Sequence, residues 1–284
     1  MLLVATVMFA WRAIPDFGSR PAHASSETEN QASIRAGEDG SADRGRKFVP
    51  ASVPPRIDEA TQARALRRFA ALGLPIRCGR GTRPYVALTF DDGPGPYTSS
   101  ILGMLRRARA RATFFVVGKN LENGAAWAAL PRQEWMVGEV GDHTWNHPYL
   151  PVLPMRQIQQ QIERTKRALE TMTGKQVVLF RPPFTSLDDA VEAVVKSLGM
   201  VEVVWSVDSG DSAGLPPSVV LSNVLREVRP GSIVIMHETR KATLSVLPKL
   251  LRELRHRGLQ TVSVPELLAL DPPTEGQLVS GMCP

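Results

Sequence analysis

Two carboxylates stand side by side in the stretch Thr89-Phe90-Asp91-Asp92-Gly93-Pro94, and two histidines, His143 and His147, lie four residues apart in Gly141-Asp142-His143-Thr144-Trp145-Asn146-His147. If that second turn is helical, residues four apart present their side chains in one direction, which suits two ligands on one metal. Joined to a carboxylate from a neighbouring segment, they make a two-histidine, one-carboxylate set. Such a set leaves positions open for water and substrate on Zn²⁺ or a similar divalent ion. Three further segments carry reactive side chains: Arg181-Pro182-Pro183-Phe184, Asp208-Ser209-Gly210-Asp211 and His237-Glu238. Of five histidines, three fall in these segments. His23 and His256 take no site role. The plainer readings are an Asp that caps the helix beginning near Thr98, with Gly-Pro as turn chemistry, and core histidines satisfied by backbone. The polarity of Gly141 to His147 weighs against the second.

The segments that must position these groups alternate between strand and helix. Tyr85 to Phe90 is a buried strand bounded by Pro84. Helix is expected over Thr98–Arg109, strand over Ala112–Val117, helix from Lys119 to about Leu130, and a short strand over Met136–Val140. A long amphipathic helix over Pro154–Thr173, closed by Gly174, is followed by a strand at Val177–Phe180. Helix at Asp188–Leu198, strand at Val201–Val207, helix at Pro216–Val228 and strand at Ser232–Met236 follow. Helix at Leu244–Arg257 and strand at Thr261–Val264 complete the series. Repeated βα units with near-continuous apolar strands argue for a parallel sheet. The fold class is α/β, a (β/α) barrel that is distorted or lacks a strand. In such a barrel the strand ends share one face, so all the reactive segments converge there.

The 284 residues, 43 % of them hydrophobic, suffice for one large or two small domains with a full core. The net charge of +6 rests on arginine. No recognition-helix or RNA-binding signature accompanies it, so nucleic acid is excluded as a partner, and attraction to an anionic cell surface fits better. Met1 to Trp11 is almost wholly apolar, too short to span a bilayer comfortably, and Ala22-His23-Ala24 resembles a small-residue cleavage site. Residues 1–24 are thus expected to be a signal peptide or an N-terminal membrane anchor, with membrane association through residues 1–11. Residues 25–57 read as a disordered linker, 58–79 as a lead-in helix and loop, 80–270 as the catalytic domain and 271–284 as a tail. Export to the periplasm, envelope or exterior is expected. The only two cysteines, Cys78 and Cys283, bracket the domain and suggest a disulfide stapling the tail to its start.

At this point the chain resembles a known family, the NodB-type polysaccharide deacetylases, or carbohydrate esterase family four. Thr89 to Pro94 matches the first motif, His143-Thr144-Trp145-Asn146-His147 the second, Arg181-Pro182-Pro183-Phe184 the third and Ile235-Met236-His237 the fifth. The fourth departs: Asp208-Ser209-Gly210-Asp211-Ser212 has Ser212 where the family has a Trp of the groove wall. Trp145 and Trp205 are the candidates to compensate. The resemblance spans roughly Arg80 to Leu270. It implies that Asp92, His143 and His147 hold one divalent metal, Zn²⁺ first, with Co²⁺ or Ni²⁺ as alternatives. It implies Asp91 as general base, Arg181 as its ionising partner, His237 as general acid and Asp211 as the residue that keeps His237 protonated. Pro183, Phe184 and Trp145 would contact substrate. The implied activity is N-deacetylation of an N-acetylhexosamine polysaccharide (peptidoglycan, chitin-like or poly-N-acetylglucosamine), by a monomer. The alternatives are an O-acetyl esterase on a polysaccharide and a non-catalytic carbohydrate-binding barrel.

Overall fold

The computed structural model describes residues 55–186 and 188–284. The expected leader or anchor, and nearly all of the expected linker, lie outside the described residues. α1 (Glu59–Leu72) leads into β1 (Tyr85–Gly93), and every residue of β1 from Tyr85 to Asp91 is buried. An apolar run of that kind belongs to a central parallel strand, covered on both faces. The chain continues through α2 (Thr98–Ala108), β2 (Thr113–Val116), α3 (Ala125–Ala128), α4 (Leu130–Val137), β3 (Glu139–Asp142), α5 (Met155–Thr173) and β4 (Leu179–Phe180). It closes with α6 (Asp189–Ser197), β5 (Val201–Glu202), β6 (Val207–Asp208), α7 (Pro217–Glu227), β7 (Ile233–His237), α8 (Lys241–His256), β8 (Gln260–Val262), α9 (Val264–Leu270) and α10 (Glu275–Ser280).

The strands form one parallel, curled sheet in the order β5-β4-β3-β2-β1-β7-β6, with β8 paired to the lower half of β1. β5 and β6 are the two edges, so the barrel is closed by the connection between them and not by a ladder. The sequence predicts a (β/α) barrel that is distorted or lacks a strand, and the curled sheet with two edges is a distorted barrel of that kind. Side chains alternate along β1 with period two. Val86, Leu88 and Phe90 pack outward into the cluster shared with α2 and α8, whereas Tyr85 and Ala87 join the inner cluster. Leu66, Phe69 and Ala70 of α1 belong to that inner cluster as well, so the lead-in helix is part of the barrel's core.

Four elements differ from expectation. Lys119–Leu130 is not one helix but a tight turn, α3 and the start of α4. Gly124, at φ +108°, interrupts the chain there, and Pro131 opens α4. Met136 and Val137 therefore end α4, and β3 begins only at Glu139. The expected Val201–Val207 strand splits into β5 and β6 because the Val203 and Val204 carbonyls are drawn from the ladder to the Arg181 guanidinium, each at 3.0 Å. At the chain's end, Ser263 caps α9 in a capping box with Glu266, which stops β8 at Val262.

The tail is anchored. Cys78 and Cys283 are bonded, with Cα atoms 6.0 Å apart. The buried Asp271 carboxylate accepts from the Gly81 N–H at 2.8 Å and the Thr82 hydroxyl at 2.6 Å, fixing the entry to β1. Among the described residues no helix is long and apolar enough to cross a membrane.

Candidate active site

Register assembles the site. Asp91 is the partner of His237 across β1 and β7, and Asp142 the partner of Phe180 across β3 and β4. The residues at and just beyond these positions, Asp91, Asp92, His143, Arg181 and His237, thus meet at one rim.

Arg181 lies inside the barrel with no solvent exposure. One Nη donates to Asp91 Oδ1 at 2.7 Å and to the Thr89 hydroxyl at 2.7 Å. The other nitrogens reach the Val203 and Val204 carbonyls, and the plane lies 4.1 Å from the Phe115 ring centroid. Every orientation of the guanidinium but this one would break a buried hydrogen bond, so the one nitrogen that holds Asp91 is fixed in place. Burial pushes the Asp91 carboxyl up, and the Arg181 charge opposes that shift without cancelling it. Asp91 is a stronger base than an exposed aspartate.

Asp92, His143 and His147 each offer one ligand atom, all within 4.8 Å of one another. Asp92 Oδ1 is 3.7 Å from His143 Nε2 and 3.3 Å from His147 Nε2. The His143 Nδ1–H donates to the Arg181 carbonyl at 2.7 Å. A carbonyl only accepts, so the proton sits on Nδ1 and the Nε2 lone pair faces Asp92. Burial pushes His143 well below the usual histidine range, which keeps it neutral and able to ligate. The turn carrying the histidines is not helical: Thr144 has φ +67° and His147 φ +57°. The Asp142 carboxylate accepts the Thr144 N–H at 2.7 Å, and the Thr144 hydroxyl accepts the His147 N–H at 3.1 Å. These bonds hold a left-handed conformation that few residues adopt, and the imidazole rings come to 4.9 Å all the same. Asp92, at φ +68°, is another such residue.

Across from the triad, Asp211 accepts from His237 twice, at 2.7 Å from Nδ1 and 2.7 Å from the backbone N–H, and a third time from the Thr243 hydroxyl. Burial would raise the Asp211 carboxyl, but these bonds leave it below its ordinary value. Burial likewise pulls His237 down, and the Asp211 bond with the charges of Asp91, Asp211 and Asp92 overrides it, lifting His237 to about 9. At neutral pH His237 carries a proton.

The rim beside His147 is aromatic. The Phe184 ring lies 4.7 Å from that of His147 and 6.4 Å from that of Tyr149, with Phe184 65 % and Tyr149 51 % exposed. Phe184 and Thr185 both have positive φ, at 59° and 53°, a strained turn that aims a large apolar ring at solvent. Pro183 is buried beneath it. Trp145 occupies a packing position, under the Arg164 guanidinium at 3.6 Å and against Gly118, where a Cβ would meet its ring at 2.4 Å. Trp205 is half-buried, 5.6 Å from the Arg181 guanidinium. On the far side of β1 and β7, Ser212, Ala213 and Gly214 are exposed and small.

Sequence reasoning did not single out Thr243, Thr89 or Tyr149 as site residues, and it placed Glu238 in a reactive segment without giving it a role. The Thr243 and Thr89 hydroxyls carry no spacing signal. Tyr149 did: an aromatic two residues past His147 in a proline-bounded loop. Glu238 is buried under the Gly93 turn and hydrogen-bonded by the Thr98 hydroxyl, so close that a Cβ on Gly93 would sit 1.5 Å from its Oε1.

The Polysaccharide deacetylase family model matches residues 79–203. The chain is 35 % identical over 190 residues to a peptidoglycan-N-acetylglucosamine deacetylase of Bacillus cereus, 64 % of this chain and 87 % of that protein. It is 30 % identical over 224 residues to the peptidoglycan-N-acetylglucosamine deacetylase of Listeria monocytogenes, 78 % of this chain and 43 % of that protein. The chain thus spans less than half the length of the Listeria protein. Among solved structures it superposes with a TM-score of 0.65, at 31 % identity, on a family-four carbohydrate esterase pseudoenzyme of Bacillus anthracis, over 70 % of this chain and 69 % of that one. With the Asp91-Arg181 ion pair, the Asp-His-His triad and the Asp211-His237 pair on one rim of such a barrel, the chain belongs to the polysaccharide deacetylase family.

Proposed function

We propose that this protein hydrolyses the acetamide of N-acetylhexosamine units in a cell-envelope polysaccharide, peptidoglycan first, at or outside the membrane. The observation that carries the reading is a buried carboxyl, Asp91, in register with a protonated histidine, His237, on the rim that also holds the Asp92-His143-His147 triad. A binding protein has no use for a base and an acid so placed. The disulfide fits an oxidising compartment.

The donor set fits a small divalent ion: one carboxylate and two imidazoles, His143 with its tautomer set by the Arg181 carbonyl. Zn²⁺ suits these ligands first, and Co²⁺ or Ni²⁺ also. Such an ion, when bound, polarises a carbonyl and acidifies water. The chain's own residues do the rest. Asp91 takes the proton from the attacking water, its free oxygen facing the triad while Arg181 holds the other. His237 gives a proton to the departing amine, and Asp211 keeps it charged and aimed until then. Phe184 and Tyr149 offer apolar faces on which sugar rings stack. A panel of peptidoglycan, chitin oligosaccharides and acetylated xylan, scored for released acetate with metal content measured in parallel, tests the reading. Acetate from xylan alone would turn it into O-deacetylation.

A second reading, a glycan-binding barrel without turnover, is favoured by Ser212 on the open rim and by the likeness to a pseudoenzyme, one of whose variants has restored activity. Binding of chitin oligosaccharides without any acetate release would establish it.

A further inference from the structure

Eight exposed arginines gather on one face. α2, α7 and α8 each run antiparallel to the sheet, so all three end on the face opposite the active site. Their last turns and caps carry Arg106, Arg107 and Arg109, then Arg226 and Arg229, then Arg252, Arg255 and Arg257, every one exposed. α8 packs against both α2 and α7. Arg255 donates to the Ala108 carbonyl at 2.8 Å and Arg257 to the Leu225 carbonyl, joining the three ends into one surface. The carboxylates of these helix ends are Glu227, already paired with Arg226 at 2.9 Å, and Glu253.

Capping explains part of this, because cations at helix C-termini satisfy the last carbonyls. It does not explain Arg107, Arg109 and Arg252, whose guanidiniums make no hydrogen bond or ion pair among the described residues. Two of them, with Arg255, rim a cavity of 250 Å³ between α2 and α8, floored by Met104, Pro248 and Leu251. Three guanidiniums around an apolar floor match an amphiphile with an anionic head: the phosphate meets the forks, and the glycerol end of the lipid covers the floor. No aromatic stacking platform for bases is present in the cavity.

We propose that this face docks on an anionic phospholipid surface and turns the opposite, catalytic rim toward the glycan. The choice of a bilayer over another polyanion rests on the envelope-polysaccharide reading above. A basic cluster gains from the surface potential of an anionic leaflet, about fivefold in partitioning per arginine.

The test is sedimentation of the full chain with vesicles of phosphatidylglycerol mixed into phosphatidylcholine, and with phosphatidylcholine alone. The apolar residues 1–11 would bind both kinds alike, so the quantity read is the excess on anionic vesicles. That excess should fall with added salt and drop roughly 30-fold in the Arg107→Gln/Arg252→Gln variant. The same charge change on α5, Arg156→Gln/Arg167→Gln, should leave it within about twofold. Equal loss in both variants would mean net charge and no docking face, and no loss in the first would remove the site. Displacement by duplex DNA at stoichiometric amounts would assign the face to nucleic acid and overturn the proposal. Acetate release from a soluble chitin oligosaccharide should be unchanged in Arg107→Gln/Arg252→Gln. If the wild type released none, the deacetylase reading would fall while the vesicle result still decided the docking face.

Discussion

Asp91 and His237 are register partners on adjacent parallel strands. The spacing between the proposed base and the proposed acid is therefore set by a backbone ladder and not by loops. Asp92 follows Asp91 in the same strand, and the loop after β3, held in a left-handed turn by side-chain bonds, brings His143 and His147 to it. The site combines a carboxyl–imidazole pair fixed by strand register with a locally strained Asp-His-His cluster.

The two neighbouring acids should separate cleanly. Asp92→Asn removes a charged ligand and should weaken both metal retention and rate. Asp91→Asn should keep the metal and near-normal oligosaccharide binding while turnover falls roughly 10²–10⁴-fold. Metal analysis and acetate release on the two variants check this, and metal lost from Asp91→Asn but kept by Asp92→Asn would reverse the roles.

The alkaline limb of the kcat/KM profile should report His237. Its folded pKa, about 9, lies above its ordinary 6.5, so the acid is competent below about 9 and fails as pH rises through it. Asp211→Asn removes the charge that overrides burial, and the limb should move down by at least roughly one unit. The same sign governs stability. The His237-Asp211 interaction is fully present below 6.5 and is lost as pH climbs to about 9. An alkaline limb unmoved in Asp211→Asn would show that another group titrates.

The aromatic rim should act on KM more than on kcat. Tyr149→Ala is expected to raise KM for a chitin tetramer by roughly five- to tenfold, the worth of about 1 kcal/mol of ring stacking. Tyr149→Phe should restore it. A uniform fall in kcat for short and long oligosaccharides would instead indicate a disturbed His147 turn.

Reduction of Cys78–Cys283 opens a cross-link spanning 205 residues. The expected loss is about 2–5 kcal/mol of stability, on the order of 10 °C in Tm. Activity at low temperature should persist, since Cys78 lies beside Ser232 at the start of β7, away from the catalytic rim. Thermal melts with and without reductant, alongside acetate assays, measure both. Two free thiols in unreduced, denatured protein would show that the bond does not form.

Gly93→Ala should abolish activity and lower stability by roughly 1–3 kcal/mol, because overpacking here meets a buried carboxyl and not a yielding methyl group. A circular dichroism melt and an acetate assay suffice, and a stable, active Gly93→Ala would mean that Glu238 can leave its pocket.

Much of this protein was legible in its residues one at a time. The apolar run of β1, the βα alternation and the pair of cysteines depend on local pattern and composition, as do the reactive types at strand ends. Those features carry the fold class and the candidate donors without any knowledge of pairing. Other features belong to the assembled barrel. The break between β5 and β6 arises because Arg181, far away in the chain, takes the Val203 and Val204 carbonyls. The raised carboxyl of Asp91 follows from burial that no neighbour in sequence supplies. The His143-to-His147 turn is left-handed although four-residue spacing also suits a helix, because the Asp142 and Thr144 side chains bond its backbone. The arginine face exists only because parallel strands send three separate helices to end at one side. Local sequence sets which groups are present, whereas distance, dehydration and direction are properties of packing, and they decide which of those groups act together.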